Sequence, residues 1–211
     1  MVQFLRSIAD GYVMLRPAVF LDRDGVLNWE KGYIHRLEDL ELMPHAAVAV
    51  RSLNDRGIFC CLASNQSGAA RGYYDLSHIA ALTERLQTLL WQSAEARLDG
   101  VFYCTKLSPP EGGKVKGLAC WSTWRKPNTG MLVAAAWQYG LDLRRSVMVG
   151  DKATDIDLAH NVGCKGVLVT SGYGAEVLAG TCQHQTVPDH IAENLFSAVP
   201  WILEQFGESY P

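Results

Sequence analysis

The feature that most constrains this chain is a set of short apolar runs that stop abruptly in polar residues. Ala18 to Leu21 is apolar at every position and ends in Asp22-Arg23-Asp24-Gly25. Phe59 to Ala63 runs into Ser64-Asn65-Gln66-Ser67-Gly68, and Val147 to Val149 runs into Gly150-Asp151. Val101 to Cys104 and Gly166 to Thr170 are two further runs of this kind. Brief stretches that are apolar on both faces are expected of strands inside a parallel sheet.

Helical segments separate them. Pro44 to Arg56 is rich in Ala, Val and Leu and is closed by Gly57. Ser77 is placed to cap a helix that carries Ile79, Leu82, Leu86, Leu89 and Leu90 on one face. Asn128 or Thr129 opens another helix that stops near Gly140, and a short one reaches Asn161 with Gly163 beyond it. The tail reads as an apolar helix or turn interrupted by Pro200. This alternation predicts an α/β fold, a doubly wound (Rossmann-like) parallel sheet with helices on both faces and right-handed crossovers. Residues 1–17 read as an N-terminal extension and 18–211 as a single domain, a size that buries a sizeable core.

A net charge of -3 and the absence of any Lys/Arg run argue against a nucleic-acid partner. No stretch is long and apolar enough to span a bilayer, and the first residues lack a signal-peptide core, so a cytoplasmic protein without membrane contact is expected. The six cysteines, at 60, 61, 104, 120, 164 and 182, show no disulfide spacing, in keeping with a reducing compartment. A monomer is the expected state.

In open α/β sheets ligands bind at the carboxyl ends of the strands. There the expected fold gathers Asp22, Asp24, Ser64, Asn65, Asp151 and Asp155 from distant parts of the chain. Several carboxylates at one spot repel, and they persist most readily around a hard cation; Mg²⁺, taking one or two carboxylates with waters and a phosphate oxygen, fits best. Two long irregular segments, 25–43 and 105–126, are candidates for loops over that edge.

These motifs, in this order and at these strand ends, resemble the haloacid dehalogenase superfamily of phosphatases. Asp22-Arg23-Asp24-Gly25-Val26 is similar to its first motif, Ser64 to the second, Lys126 to the third, and Gly150-Asp151 with Asp155 to the fourth. Within it, Phe20 to Gly25, Gly32 to His35, Ser64 to Gly72, Arg125 to Pro127, Gly130 to Leu132 and Val149 to Lys152 resemble the capless histidinol-phosphatase-like group, which includes heptose bisphosphate phosphatases. The resemblance implies Mg²⁺-dependent hydrolysis of a small phosphorylated substrate through an aspartyl-phosphate. Asp22 would be the nucleophile and Asp24 the acid and base, with Ser64 and Lys126 meeting the phosphoryl group. Mg²⁺ would be held by Asp22, Asp24 and Asp151, and Asp155 would orient Lys152 or a metal-bound water. Glu30, Lys31, Gly32, Tyr33, Asn65, Gln66, Ser67, Arg125 and Lys152 would line the substrate pocket, Arg125 being suited to a distal phosphate. The implied substrate is D-glycero-D-manno-heptose 1,7-bisphosphate with loss of the 7-phosphate. Histidinol phosphate is the alternative, and a non-catalytic phosphoryl-accepting module a remote one.

One departure stands out. The group usually binds structural Zn²⁺ through Cys-x-His and Cys-x-Cys before Arg-Lys-Pro. Here Cys104 is kept, Lys106 replaces the His, Ser122 and Trp124 replace the later cysteines, and Cys120 is displaced by two residues. That set does not complete a tetrahedral site, so no structural Zn²⁺ is expected, and Trp121, Trp124 and the prolines are expected to order the loop by packing. Gly172-Tyr173-Gly174 lacks the glycine spacing of a dinucleotide loop and is set aside.

Overall fold

The computed structural model describes residues 15–180 and 187–207. Most of the N-terminal extension, and Cys182, lie outside the described residues. One parallel six-stranded sheet runs through them in the order β3-β2-β1-β4-β5-β6. Its strands are β1 (Ala18–Leu21), β2 (Phe59–Asn65), β3 (Gly100–Cys104), β4 (Val147–Gly150), β5 (Lys165–Val169) and β6 (His190–Ala192). The helices are α1 (Ala46–Asp55), α2 (Gly68–Arg71), α3 (Leu76–Ala94), α4 (Gly130–Tyr139), α5 (Ala153–Val162), α6 (Gly174–Leu178) and α7 (Leu195–Phe206).

Because β1 lies in the middle of the sheet, every one of its side chains is buried. Val19 and Leu21 join Cys60, Leu62, Val147, Val149, Val167 and Val169 in a core closed by α1, α3 and α7. Ala18 and Phe20 face the other way, with Phe59, Cys61, Ala63 and Met148, against α4 and α5. Each such large side chain contributes about 1.5–3 kcal/mol on burial. The first strand is thus clamped from both faces, and its carboxyl end is fixed to within a hydrogen bond: Asp22 N donates to Val149 O at 3.0 Å.

Three local expectations are corrected. The cap of α3 is Asp75, whose side chain accepts from His78 N at 2.9 Å, while Ser77 lies inside the helix and donates to Asp75 at 2.6 Å. A carboxylate at the helix amino end outcompetes a hydroxyl there because it also meets the helix dipole. Pro200 does not interrupt the last helix, which runs on from Leu195 to Phe206 behind an Asn194–Ser197 capping box. The roughly 3 kcal/mol that an interior proline costs is outweighed by burial of Leu195, Ala198, Val199, Ile202 and Phe206. Trp121 does not pack down over the 105–126 loop; it is 67% exposed. Trp124 does meet Phe102, with ring centroids 5.9 Å apart, but backbone bonds such as Leu107 N to Leu118 O, 3.1 Å, hold much of the loop. Among the described residues no helix is long and apolar enough to cross a membrane.

Candidate active site

The site is built at the carboxyl ends of β1, β2 and β4. Asp22 leaves β1 with its carboxylate buried; Oδ1 accepts from Arg23 N at 2.7 Å and Oδ2 meets Lys126 Nζ at 2.9 Å. The Lys126 ammonium lies 2.6 Å from Asp155 and also donates to Ala63 O at 3.0 Å. Lys126 arrives on the loop before α4, and Asn65 holds it there. The Asn65 amide accepts from Lys126 N at 3.0 Å and donates to Lys126 O at 3.2 Å. Both ends of Asn65 are therefore spent on the lysine's backbone rather than turned to the pocket.

Charge states follow from this arrangement. Burial alone would raise the Asp22 carboxyl, but the Lys126 and Lys152 ammonium groups and the Ser64 hydroxyl hold it below its ordinary value. Burial disfavours a charged Lys126, and the two carboxylates beside it more than offset that, so it stays protonated. Asp151 is pushed up to about 7, first by burial and then, against the opposing Lys152, by the charges of Asp22 and Asp155. Asp155 is likewise raised, first by burial, with Lys126 opposing and the Asp22 charge adding to it.

Asp24 is a pure acceptor in this arrangement. Arg23, itself buried, grips it through Nε at 3.1 Å and Nη2 at 3.0 Å, Asn28 donates at 2.9 Å, and Gln66 at 3.1 Å. The same Gln66 amide reaches Ser64 Oγ at 2.9 Å, joining the second strand end to the first. Ser67 is buried just beyond.

Asp22, Asp151 and Asp155 each offer an oxygen within 4.8 Å of the others. Asp155 is already engaged, by Lys126 on Oδ1 and by Lys152 N, 3.0 Å, on Oδ2. Asp151 Oδ2 accepts from Tyr173 N at 2.9 Å, while its Oδ1 is buried without a hydrogen-bond partner, its nearest counter-charge being Lys152 Nζ at 3.9 Å. A buried carboxylate oxygen without a hydrogen bond is costly, and a cation shared with Asp22 would satisfy it. The space is kept by glycines. A Cβ on Gly172 would lie 2.1 Å from Asp151 Oδ2, and one on Gly25, at φ +79°, would lie 2.4 Å away. Ser171 Oγ ties this loop to Gly25 O at 2.6 Å.

On the rim, Glu30 pairs with Lys152 at 2.8 Å and accepts from Gly32 N at 2.8 Å; Lys152 also stands 4.7 Å from the Tyr173 ring centre. Tyr33 packs edge-on against Tyr73, and Arg125 pairs with Glu111 at 3.0 Å. Lys31, expected to line the pocket, is instead paired with Glu41 at 2.9 Å and bonded to Asp39 O at 3.2 Å, within its own flap. Sequence reasoning missed Arg23, Asn28, Ser171 and Tyr173. Ser171 directly precedes, and Tyr173 lies within, the Gly172-Tyr173-Gly174 stretch, whose signal was a small residue directly after a strand end.

Comparison with known proteins agrees with this architecture. A HAD-hydrolase-like family model matches residues 123–198. The chain is 68% identical over 189 residues to a D-glycero-D-manno-heptose-1,7-bisphosphate 7-phosphatase of Thermosynechococcus vestitus, covering 90% of this chain and 96% of the relative. It is 38% identical over 160 residues to the D-glycero-beta-D-manno-heptose-1,7-bisphosphate 7-phosphatase of Escherichia coli K12, covering 74% and 80%. The crystal structure of the D,D-heptose 1,7-bisphosphate phosphatase of B. bronchiseptica, complexed with magnesium and phosphate, superposes with a TM-score of 0.75 at 29% identity, covering 90% and 99%. Family identity and site geometry converge: this chain is a phosphatase and belongs to the D-glycero-D-manno-heptose-1,7-bisphosphate 7-phosphatase family of haloacid dehalogenase-like hydrolases.

Proposed function

We propose that this phosphatase removes the 7-phosphate of D-glycero-D-manno-heptose 1,7-bisphosphate through a phosphoryl-Asp22 intermediate. The observation that carries the mechanism is an anionic Asp22 beside the charged Lys126 and an Asp151 Oδ1 that has no hydrogen-bond partner. An Asp22 oxygen attacks phosphorus, the P–O ester bond breaks, and Asp24 gives its proton to the departing alkoxide. Asp24 then takes a proton from water, whose oxygen attacks the phosphoryl group and frees Asp22. The donors of Arg23, Asn28 and Gln66 dress Asp24 for that second step, as an acceptor. Ser64 and Lys126 meet the charge that develops on the phosphoryl oxygens.

Mg²⁺ is the cofactor in this reading, held by Asp22, the Asp24 main-chain carbonyl and Asp151, with Asp155 bracing Lys126 and the Lys152 backbone. When bound it supplies the charge that lets a carboxylate approach a phosphate. Glu30, Gly32, Tyr33, Gln66, Ser67, Arg125 and Lys152 form the substrate wall, and Arg125 takes the distal phosphate. One chain supplies every group, so a monomer suffices, and the free thiols of Cys60, Cys61 and Cys164 suit a cytoplasmic setting.

The test is phosphate release with Mg²⁺ from the heptose bisphosphate and from histidinol phosphate, with ³¹P NMR to identify the phosphate lost. The bisphosphate is expected to win by about tenfold or more in kcat/KM, losing its 7-phosphate. Preference for histidinol phosphate, or loss of the 1-phosphate, defeats the reading.

The metal makes a second expectation. Asp151 titrates at about 7 in the folded protein and at about 3.9 when unfolded. Its contribution to stability is therefore full below about pH 4 and is lost as pH rises through about 7. With EDTA the thermal midpoint should be lower at pH 8 than at pH 6, and Mg²⁺ should raise it more at pH 8, where no proton competes. A Mg²⁺ effect equal at both pH values would refute Asp151 as a ligand.

A further inference from the structure

Arg71 ends α2, directly after the polar end of β2, and its guanidinium reaches two other rim segments. Its Nη2 donates to Glu111 O at 3.0 Å, and its guanidinium carbon lies 5.9 Å from the Tyr33 ring centre. Gly112 leaves room for it: at φ +103°, a Cβ there would come within 2.3 Å of Nη1. The helix also docks the 105–126 loop through its backbone, Ala70 O accepting from Lys114 N at 2.8 Å and Val115 N at 3.0 Å. Glu111, whose carbonyl Arg71 holds, uses its carboxylate to hold Arg125 Nε at 3.0 Å. Arg125 Nη1 is buried and has no hydrogen-bond partner. A chain of contacts thus runs from Arg71 through Glu111 to Arg125, the side chain next to Lys126.

We propose that Arg71 is a positioning residue for substrate recognition: it fixes Glu111, and through it aims the Arg125 guanidinium at the distal phosphate. The proposal rests on the bisphosphate reading above. Arg71 has its hydrogen bond and ring contact on the rim, so its effect falls on binding of the part of the substrate beyond the reacting phosphate. A guanidinium displaced by about 1 Å costs up to about 100-fold in such recognition, and partial loosening less.

The experiment is steady-state kinetics of wild type, Arg71→Ala, Arg125→Ala and the double variant, with the heptose bisphosphate and with p-nitrophenyl phosphate, which has no second phosphate for Arg125. Arg71→Ala should raise KM for the bisphosphate about tenfold, with kcat changed by about twofold at most. Its kcat/KM on p-nitrophenyl phosphate should stay within about twofold. The double variant should match Arg125→Ala alone, because the two act as one unit. An unchanged KM in Arg71→Ala, full additivity in the double variant, or an equal fall on both substrates overturns the inference. If Arg71→Ala does not fold, Arg71→Gln provides a second route: it keeps a polar stem but is too short to hold Glu111 O, and the same rise in KM is expected. The bisphosphate reading fails differently, through a wild type that hydrolyses p-nitrophenyl phosphate and leaves the bisphosphate intact.

Discussion

Asp22→Asn should abolish turnover while leaving the protein folded. An amide oxygen cannot form the phosphoryl-enzyme, and loss of a nucleophile that works as part of a concerted unit costs at least about 10⁴-fold in kcat. Stability should move little. Lys126 keeps Asp155 at 2.6 Å and Ala63 O at 3.0 Å, so its charge stays paired. Asp151, which the Asp22 charge now pushes upward, gains from the change. Phosphate release by the purified variant, assayed beside its thermal midpoint, decides the matter. Residual kcat above about 1% of wild type would remove Asp22 from the nucleophile's role.

Lys126→Met should do the opposite, damaging the fold as well as the reaction. It takes the counter-charge away from Asp22 and Asp155, both buried. Breaking a buried pair from one side costs about 3–5 kcal/mol, because the charge left behind is uncompensated. The exposed Lys31–Glu41 pair contributes about 0–1 kcal/mol by comparison. For a chain of this size the loss corresponds to a fall of about 6–20 °C in Tm. Adding Asp155→Asn, which removes one of the stranded charges, should recover part of it. Denaturant unfolding gives the numbers, and a destabilisation under about 1 kcal/mol would mean that the carboxylates find other partners.

The strands that carry the candidate site were legible because burial on both faces leaves a plain mark: an apolar run cut off by Asp22, Ser64 or Asp151. The edge of the sheet left no such mark. His190–Ala192 is three residues long, pairs among the described residues with β5 alone, and leaves Ile191 about half exposed, so it reads as loop. Helix α6 was missed for a related reason, since five residues opening on glycine carry no period. In the site, residue type and order were enough to expect that Asp22, Asp151, Asp155 and Lys126 would meet, as they do. Arg23 reads in sequence as the spacer of Asp-x-Asp, and only its position between the strand and the flap shows a guanidinium buried against Asp24. Asn65 and Lys31 are placed in the pocket by the family resemblance, position by position. Their donors and acceptors are consumed by Lys126 and by the flap, a matter of three-dimensional pairing that residue type does not encode.

The placement of β1 at the centre of the sheet also dictates the order in which the enzyme can come into being. Ala18 N bonds Ser146 Oγ across 128 residues of chain, and the strand beside β1 that carries Asp151 is made long after it. During synthesis Asp22 therefore emerges first and waits, one flank of its strand open, until β4 arrives to close it. Long-range parallel pairing of this kind is slow to form. No shortened chain ending before Gly150 can assemble the acidic cluster, so activity reports that β4 has docked beside β1.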